Sequence, residues 1–184
     1  GILKGIYRFR PSSLSDKDAV GRVQLWGSGA ILNRVLEAQQ ILEQQYNIAA
    51  DVWSVTSYVE LRREAIDVER ANLLKAPSKP AKPYIARAMD GAQGPIVAAS
   101  DYMKALPDGL AKWLPNRLVA LGTDGFGRSD TRARLRDFFE IDRRWIAYHA
   151  LRALGDEGTI DKKLAKQAAK DLELELDKPN PARS

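Results

Sequence analysis

Four short apolar runs, each followed by a stretch of helical character, restrict the folds open to this chain more than any other feature. We predict that these runs are buried strands, and they cover residues 23–26, 51–55, 95–99 and 118–121. Between the first two runs, apolar side chains recur at helical spacing at Ile31, Val35, Ala38 and Leu42. Strands that alternate with helices are typical of a mostly parallel sheet with helices on both faces.

A fifth strand is predicted near the start of the chain, where residues 2–9 loosely alternate between apolar and polar side chains. Because no helix connects it to the next strand, we expect it to run antiparallel to the others. The predicted fold class is therefore α/β, with three αβα layers around a mostly parallel, five-stranded mixed sheet. We expect a single domain over residues 1–176, followed by a frayed polar tail at residues 177–184.

Polar residues mark the expected helix boundaries. Asn47 is placed to end the first long helix. The residues expected to begin later helices are Thr56 or Ser57, Ser100-Asp101, Asp142 and Asp161. Glu60 is placed to complete a capping box with Ser57. The helix that follows Asp101 is expected to run to Trp113, with Pro107 and Gly109 breaking its middle or shifting its start. Three helices are expected after Asp130.

Composition excludes several classes of protein. The 184 residues contain no cysteine, so disulfides, thiolate zinc sites and cysteine nucleophiles are ruled out. No apolar run approaches the roughly 20 residues that a membrane helix needs. The net charge of +5 is mild, and no basic stripe with interleaved aromatic residues is present. We therefore expect neither a membrane nor a nucleic-acid partner. Since the chain begins at Gly1 with a strand close behind, we interpret it as a piece of a longer protein.

The single histidine offers little chemistry. His149 lies in a predicted helix and has no carboxylate three or four residues further on, which makes it a poor metal ligand. A serine triad would require a G-x-S-x-G turn, and the chain has none. We interpret His149 as a structural or surface residue and assign no catalytic or metal-binding residue.

Gly27, Ser28 and Gly29 form a turn between a strand and a helix, and two interpretations of it remain open. Its N–H groups could hold an anion at the helix start. A tight turn with a capping serine explains the same residues. Leu32 stands where the third glycine of a dinucleotide fingerprint belongs, and the G-K-[ST] of a P-loop is absent.

The loop after Leu121 is rich in glycine and carries a second candidate site. Gly125, Phe126, Gly127 and Arg128 form this candidate interface or anion loop. Because an exposed phenylalanine is costly, we expect Phe126 to be mostly buried, either under the following helix or against a neighbouring domain. Ser129, Asp130 and Thr131 are the candidate caps of that helix, with Asp130 preferred.

Asp124-Gly125 in this loop is similar to the start of a thiamine diphosphate and magnesium motif. That motif needs a glycine where Thr123 stands. It also needs an asparagine about one strand and turn later, but the only asparagine after Gly125 is Asn180. The motif is therefore absent.

Taken together, several stretches resemble one enzyme family over nearly the whole chain. The most specific is Thr-Asp-Gly-Phe-Gly-Arg-Ser-Asp at residues 123–130. The others lie at residues 5–7, 23–29, 51–57, 60–61, 69–73 and 100–104. In this order they resemble the C-terminal domain of the homodimeric, bacterial type of pyruvate dehydrogenase E1 component. The more distant transketolases carry a looser Phe-Gly-x-Ser segment at the same place.

The resemblance implies a cytoplasmic parent enzyme that uses thiamine diphosphate and magnesium. Such an enzyme decarboxylates pyruvate and reductively acetylates the lipoyl group of its E2 partner. The cofactor is expected between the N-terminal and middle domains of opposite subunits, so none is expected in this fragment. The matched domain is expected to contribute assembly and dimer contacts and to be inactive alone. Two alternatives remain: a stand-alone anion-binding regulatory module, or the matching domain of a transketolase or 2-oxoglutarate dehydrogenase E1.

Overall fold

Five strands form a single mixed sheet. They are β1 (Ile6–Arg10), β2 (Gly21–Gly27), β3 (Ile48–Val55), β4 (Ile96–Ala99) and β5 (Leu118–Leu121). Their order across the sheet is β1-β3-β2-β4-β5. β1 runs antiparallel to β3, and the other neighbours are parallel. The computed structural model, which describes residues 1–183, confirms the predicted α/β fold with its antiparallel first strand.

Seven α-helices cover the sheet in the described part of the chain. They are α1 (Leu32–Tyr46), α2 (Tyr58–Lys75), α3 (Tyr84–Ala88), α4 (Ala105–Asp108), α5 (Arg132–Phe138), α6 (Arg143–Asp156) and α7 (Lys162–Asp171). Short 3₁₀ turns occupy Ile2–Lys4, Gly29–Ile31 and Ala111–Trp113. Within residues 1–183, none of the helices is long and apolar enough to cross a membrane.

Two separate apolar cores lie on the two faces of the sheet, because successive side chains of a strand point to opposite sides. Val97 and Ala99 of β4 pack into the core under α1, α6 and α7. Ile96 and Ala98 of the same strand pack into the core formed with α2 and α3. The stripe predicted for the first helix (Ile31, Val35, Ala38 and Leu42) is fully buried. The three-layer arrangement therefore follows from the alternation in the sequence.

Local boundary signals act largely as predicted. Asn47 ends α1 in a left-handed conformation, with φ 55°. Ser57 begins α2, and its Oγ accepts a hydrogen bond from the Glu60 N–H at 3.1 Å. The capping box is only half formed, because the Ser57 N–H donates to the Gly5 carbonyl and the Glu60 carboxylate pairs with Arg63 instead. Caps need only neighbouring residues, which is why the sequence predicts them well.

The first strand is shorter than predicted. Ile2–Lys4 forms a 3₁₀ turn, and Gly5, with φ 98°, redirects the chain before β1 starts at Ile6. A Cβ atom at Gly5 would lie 2.7 Å from the Ser57 carbonyl oxygen, so the backbones of the two segments pack directly on each other. This close contact at the start of α2 overrides the loose alternation of residues 2–9.

The start predicted at Ser100-Asp101 for the helix reaching Trp113 is wrong, because neither residue begins a helix. The predicted break is confirmed: α4 ends before Gly109, and a separate 3₁₀ turn forms at Ala111–Trp113. The Tyr102 carbonyl accepts a hydrogen bond from the Thr123 N–H, and the Lys104 N–H donates to Asp124 Oδ1. These bonds to the neighbouring loop take the backbone groups that a helix would have used.

Two further expectations need correction at the carboxyl end of the chain. Thr131, not Asp130, begins α5, and its hydroxyl accepts from the Arg134 N–H at 3.4 Å. The start of the tail is held in place, whereas we expected a frayed tail. The Lys178 ammonium group donates to the Asp137 carbonyl at 2.7 Å and lies 4.3 Å from the centre of the Trp145 ring. Residues 177–183 contain no helix or strand.

Candidate functional site

The carboxyl ends of the parallel strands bring the two candidate loops to one edge of the sheet. From β2 the chain crosses to β3 on one side, and β4 then pairs with β2 on the other side. The strand order therefore reverses between β2 and β4, and ligands of open α/β sheets bind at such a point. The Ser28 N–H donates to the Ala99 carbonyl at 3.3 Å, which fixes the first candidate loop at this place.

The Gly27-Ser28-Gly29 turn serves close packing. A Cβ atom at Gly27 would lie 2.8 Å from Leu32 Cα, so only glycine lets α1 approach β2 this closely. Gly29 has φ 55°, a conformation that glycine adopts without strain. Ser28 occupies the position before the helical turn but makes no capping hydrogen bond through its side chain. The tight-turn interpretation is therefore right without the serine cap, and anion binding at this turn stays a prediction.

The inner half of the loop after β5 is tied to the loop after β4. A Cβ atom at Gly122 would lie 2.2 Å from the Tyr102 carbonyl oxygen, so the two backbones touch. The Thr123 N–H donates to that carbonyl at 2.9 Å, and its hydroxyl donates to the Asp101 carbonyl at 2.6 Å. The Asp124 carboxylate accepts the Lys104 N–H at 2.9 Å. These hydrogen bonds of Thr123 and Asp124 hold the loop after β5 against the loop after β4.

The outer half of the same loop points away from the domain. Gly125 has φ 90° and lies against the tail near Pro181. Phe126 is 88% exposed, so the prediction that it lies under the following helix is wrong. Its burial against a neighbouring domain stays a prediction. Arg128 folds back, with its guanidinium 4.3 Å from the centre of the Phe138 ring, a cation–π distance.

Phe126 is not the only apolar side chain exposed at this edge. Tyr102 is 51% exposed and Met103 is 57% exposed, on the loop that is hydrogen-bonded to residues 123 and 124. We call Tyr102, Met103 and Phe126 the apolar edge patch. Exposed apolar residues on adjoining loops are the kind of surface that another protein often covers.

A crevice of about 350 Å³ opens beside this patch. Apolar side chains form most of its wall: Ala30, Leu135, Phe139 and Ile141. Its polar lining comes from Asp101, Thr123, Arg132 and Arg136. Burial raises the pKa of the Asp101 carboxyl group, while the positive charges of Arg136 and Arg132 act in the opposite direction. Sequence reasoning missed these three charged residues as a group, although the spacing of the two arginines places them on one face of a helix.

A second polar cluster lies at the opposite, amino edge of the strands. Arg22 of β2 donates to Asp51 of β3 at 2.8 Å, and the Gln24 side chain accepts from Trp53 Nε1 at 2.8 Å. Asp51 also accepts the backbone N–H of Ser12 at 3.0 Å. These bonds join two strands to the loop after β1, so this cluster holds structure together.

His149 has a structural environment. It packs between the rings of Trp145 and Tyr148, with centroids 6.2 and 6.0 Å away. Its Nε2 lies 3.8 Å from a carboxylate oxygen of Glu140, whose other oxygen lies 3.6 Å from Lys178 Nζ. The nearby imidazole lowers the pKa of Glu140, and the ammonium group of Lys178 lowers it further. Among residues 1–183, no three His, Asp or Glu side chains are grouped as a metal site requires.

Comparison with known proteins extends these observations. The model of the transketolase-like TK C-terminal domain family matches residues 5–142. The chain is 43% identical over 180 residues to the pyruvate dehydrogenase E1 component of Cupriavidus necator, covering 98% of this chain and 20% of that protein. It is 44% identical over 182 residues to the E1 component of Pseudomonas aeruginosa, with the same coverage of both chains. The chain thus spans about a fifth of these relatives.

Solved structures agree on the fold. A transketolase from Pichia stipitis in complex with sedoheptulose-7-phosphate matches 85% of this chain and 19% of its own, with a TM-score of 0.53 and 17% sequence identity. At this identity the match concerns the fold alone. The sequence and fold matches together confirm the resemblance indicated by the motif at residues 123–130.

Proposed function

The chain belongs to the transketolase-like C-terminal domain family, and from this premise we propose that it is the C-terminal part of a pyruvate dehydrogenase E1 component. The observation that carries the proposal is the 43% identity to such an enzyme across 98% of the chain. The parent enzyme decarboxylates pyruvate and reductively acetylates the lipoyl group of an E2 acetyltransferase in the cytoplasm. Its N-terminal and middle domains lie outside this chain.

The parent uses thiamine diphosphate and magnesium, and the residues of this chain do not fit that cofactor. The carboxylate of Asp124, where the magnesium motif would supply a ligand, already accepts a backbone N–H of the neighbouring loop. Thr123, in place of the motif's glycine, uses both its N–H and its hydroxyl on that loop. These contacts support a cofactor site elsewhere in the parent, and no reaction step is assigned to this domain.

The domain's role in this proposal is assembly. The apolar edge patch supports it, because Phe126 is almost fully exposed on a loop whose base is fixed by hydrogen bonds. A second surface lies on α2, where Val59, Ile66 and Leu73 are exposed at intervals of seven residues. Apolar residues at this spacing form a stripe along one side of a helix and suit packing against another helix. Other domains of the parent and a second E1 subunit are the proposed partners.

Two measurements test the enzyme assignment. The polypeptide that contains this chain is assayed with pyruvate, 2-oxoglutarate and sugar phosphates, and turnover with pyruvate is expected to dominate. Dominant turnover with either of the other substrates would assign the chain to a different thiamine enzyme. Calorimetric titration of the 184-residue chain with thiamine diphosphate and magnesium is expected to give no saturable heat. Saturable binding would contradict a cofactor site outside this chain.

The assembly role is tested by Phe126→Ala in the parent polypeptide, with Val20→Ala as the matched control. Val20 is also exposed, at 54%, but precedes β2 at the amino edge of the sheet. If the patch is an interface centre, loss of Phe126 weakens subunit association about tenfold or more in sedimentation equilibrium. Val20→Ala leaves it unchanged. Equal effects of the two variants, or none, would remove the apolar edge patch from the interface.

A further inference from the structure

The crevice at the carboxyl edge of the sheet has the features of a ligand site. It is lined by residues that follow three strands: Ala30 after β2, Asp101 after β4 and Thr123 after β5. It therefore lies at the reversal of strand order, where α/β sheets hold small molecules. Its volume of about 350 Å³ is at the lower end of the range for small-molecule pockets. Helix α5 closes one side.

Two of the three arginines of α5 make no direct polar bond through their side chains in the described part of the chain. Within residues 1–183, neither Arg132 nor Arg136 makes an ion pair, and neither side chain makes a hydrogen bond. By contrast, Arg134 on the same helix pairs with Asp130. Planar guanidinium groups without partners bind carboxylates through paired hydrogen bonds. Arg136 is half-buried, so its charge is only partly screened by water.

The charges and the apolar wall together define the ligand chemistry. Two guanidinium groups and the Asp101 carboxylate sum to one net positive charge, which matches a monoanion better than a dianion. Leu135, Phe139 and Ile141 offer apolar surface to the rest of the ligand. We propose that this crevice binds a small monoanionic carboxylate with an apolar body, with Arg132 and Arg136 holding the carboxylate. In this structure, residues of this chain alone line the crevice.

The test is a ¹⁹F NMR titration of the 184-residue chain with 4-fluorophenylacetate, compared with 4-fluorophenylacetamide. The acetamide keeps the apolar body and removes the charge. We expect saturable binding of the acetate and at least about tenfold weaker binding of the acetamide, since charge-assisted hydrogen bonds are worth about this factor. Equal binding of both probes would reduce the site to an apolar crevice and overturn the proposal.

Four variants locate the site and its charge. Arg136→Gln and Arg132→Gln are each expected to weaken binding of the acetate several-fold, while the matched control Arg134→Gln leaves it unchanged. Asp101→Asn is expected to tighten binding about two- to fivefold, because it removes the opposing negative charge. If Asp101 had only a structural role, Asp101→Asn would not bind the acetate more tightly.

Circular dichroism verifies that each variant is folded. If Arg136→Gln does not fold, Arg132→Gln takes its place in the binding test. Besides equal binding of the two probes, three further results would overturn the proposal. They are no saturable shift with the unmodified chain, equal losses for the Arg134 and Arg136 variants, and weaker binding by folded Asp101→Asn.

Discussion

At Gly122, a single added methyl group should strongly destabilise the contact between the loop after β5 and the loop after β4. Alanine there places a Cβ atom 2.2 Å from the Tyr102 carbonyl oxygen, whereas a carbon and an oxygen in contact lie about 3.3 Å apart. The two loops must therefore separate by about 1 Å. Gly122 is not among the residues with positive φ, so this effect is steric and owes nothing to backbone strain.

The free-energy cost of Gly122→Ala follows from the hydrogen bonds between the two loops. Separation by about 1 Å stretches the Thr123 N–H bond to Tyr102 and the Lys104 N–H bond to Asp124, both 2.9 Å, beyond hydrogen-bond length. The 2.6 Å bond from the Thr123 hydroxyl to the Asp101 carbonyl weakens as well. At about 1 kcal/mol for each bond, and with water replacing part of the loss at this surface, Gly122→Ala should destabilise the chain by about 2–3 kcal/mol.

The same loop supplies a matched control at Gly127 and a comparison at Gly125. A Cβ atom at Gly127 meets nothing within 4 Å, so Gly127→Ala should change the free energy of unfolding by less than about 0.5 kcal/mol. Gly125→Ala should cost about 1–2 kcal/mol, because Gly125 has φ 90°, a conformation that disfavours alanine.

Urea denaturation followed by circular dichroism measures all three variants. In thermal denaturation, the melting temperature of Gly122→Ala should fall by about 4–12 °C. The reasoning is refuted if Gly122→Ala lies within about 0.5 kcal/mol of the unmodified chain, or if Gly127→Ala costs as much.

Two further predictions concern the carboxyl-terminal helices. Asp142→Ala should lower the free energy of unfolding by about 1–2 kcal/mol in urea denaturation, because the Asp142 carboxylate accepts the N–H groups of Arg144 and Trp145 at the start of α6. Asp161→Ala loses one exposed hydrogen bond at the start of α7 and should cost less. A larger cost for Asp161→Ala than for Asp142→Ala would contradict this account. The lowered pKa of Glu140 stabilises the fold above the unfolded-state pKa of about 4.3, and this contribution is lost as the pH falls through the lower folded-state pKa. Glu140→Gln should therefore flatten the dependence of the free energy of unfolding on pH below about pH 5. An unchanged pH dependence in this range would show that Glu140 contributes nothing to the pH dependence of stability.

Local patterns predict most of the fold, because they require only neighbouring residues. The stripe on α1, the Asn47 end of that helix and the Ser57 start of α2 were all evident from spacing and residue type. The antiparallel first strand followed from the missing crossover helix. The strand at Leu118–Leu121 was also found, but its first three residues are only half-buried since β5 is an edge strand. Sheet order, which decides this exposure, is not encoded in a local apolar run.

Predictions failed where distant segments compete for the same backbone groups. The segment after Ser100 has helical spacing, yet its N–H and carbonyl groups bond to residues 123 and 124, which follow another strand. The crevice escaped prediction for the same reason. Arg132 and Arg136 face Asp101 only because β4 and β5 are neighbours and end at the same level. Their common site therefore depends on strand register and loop length, which a single sequence does not reveal.

The signature at residues 123–130 divides into two parts with different physical roles. Its first two residues direct their polar groups inward, where they bond to the loop after β4. From Gly125 onward the backbone turns outward and exposes Phe126 to solvent. A fixed base limits the conformational entropy that an exposed side chain loses when a partner covers it, which favours binding. Under the proposed assembly role, this fixed base favours Phe126 as a contact residue. Gly122→Ala in the parent enzyme should then weaken assembly, even though Gly122 itself is buried within the chain.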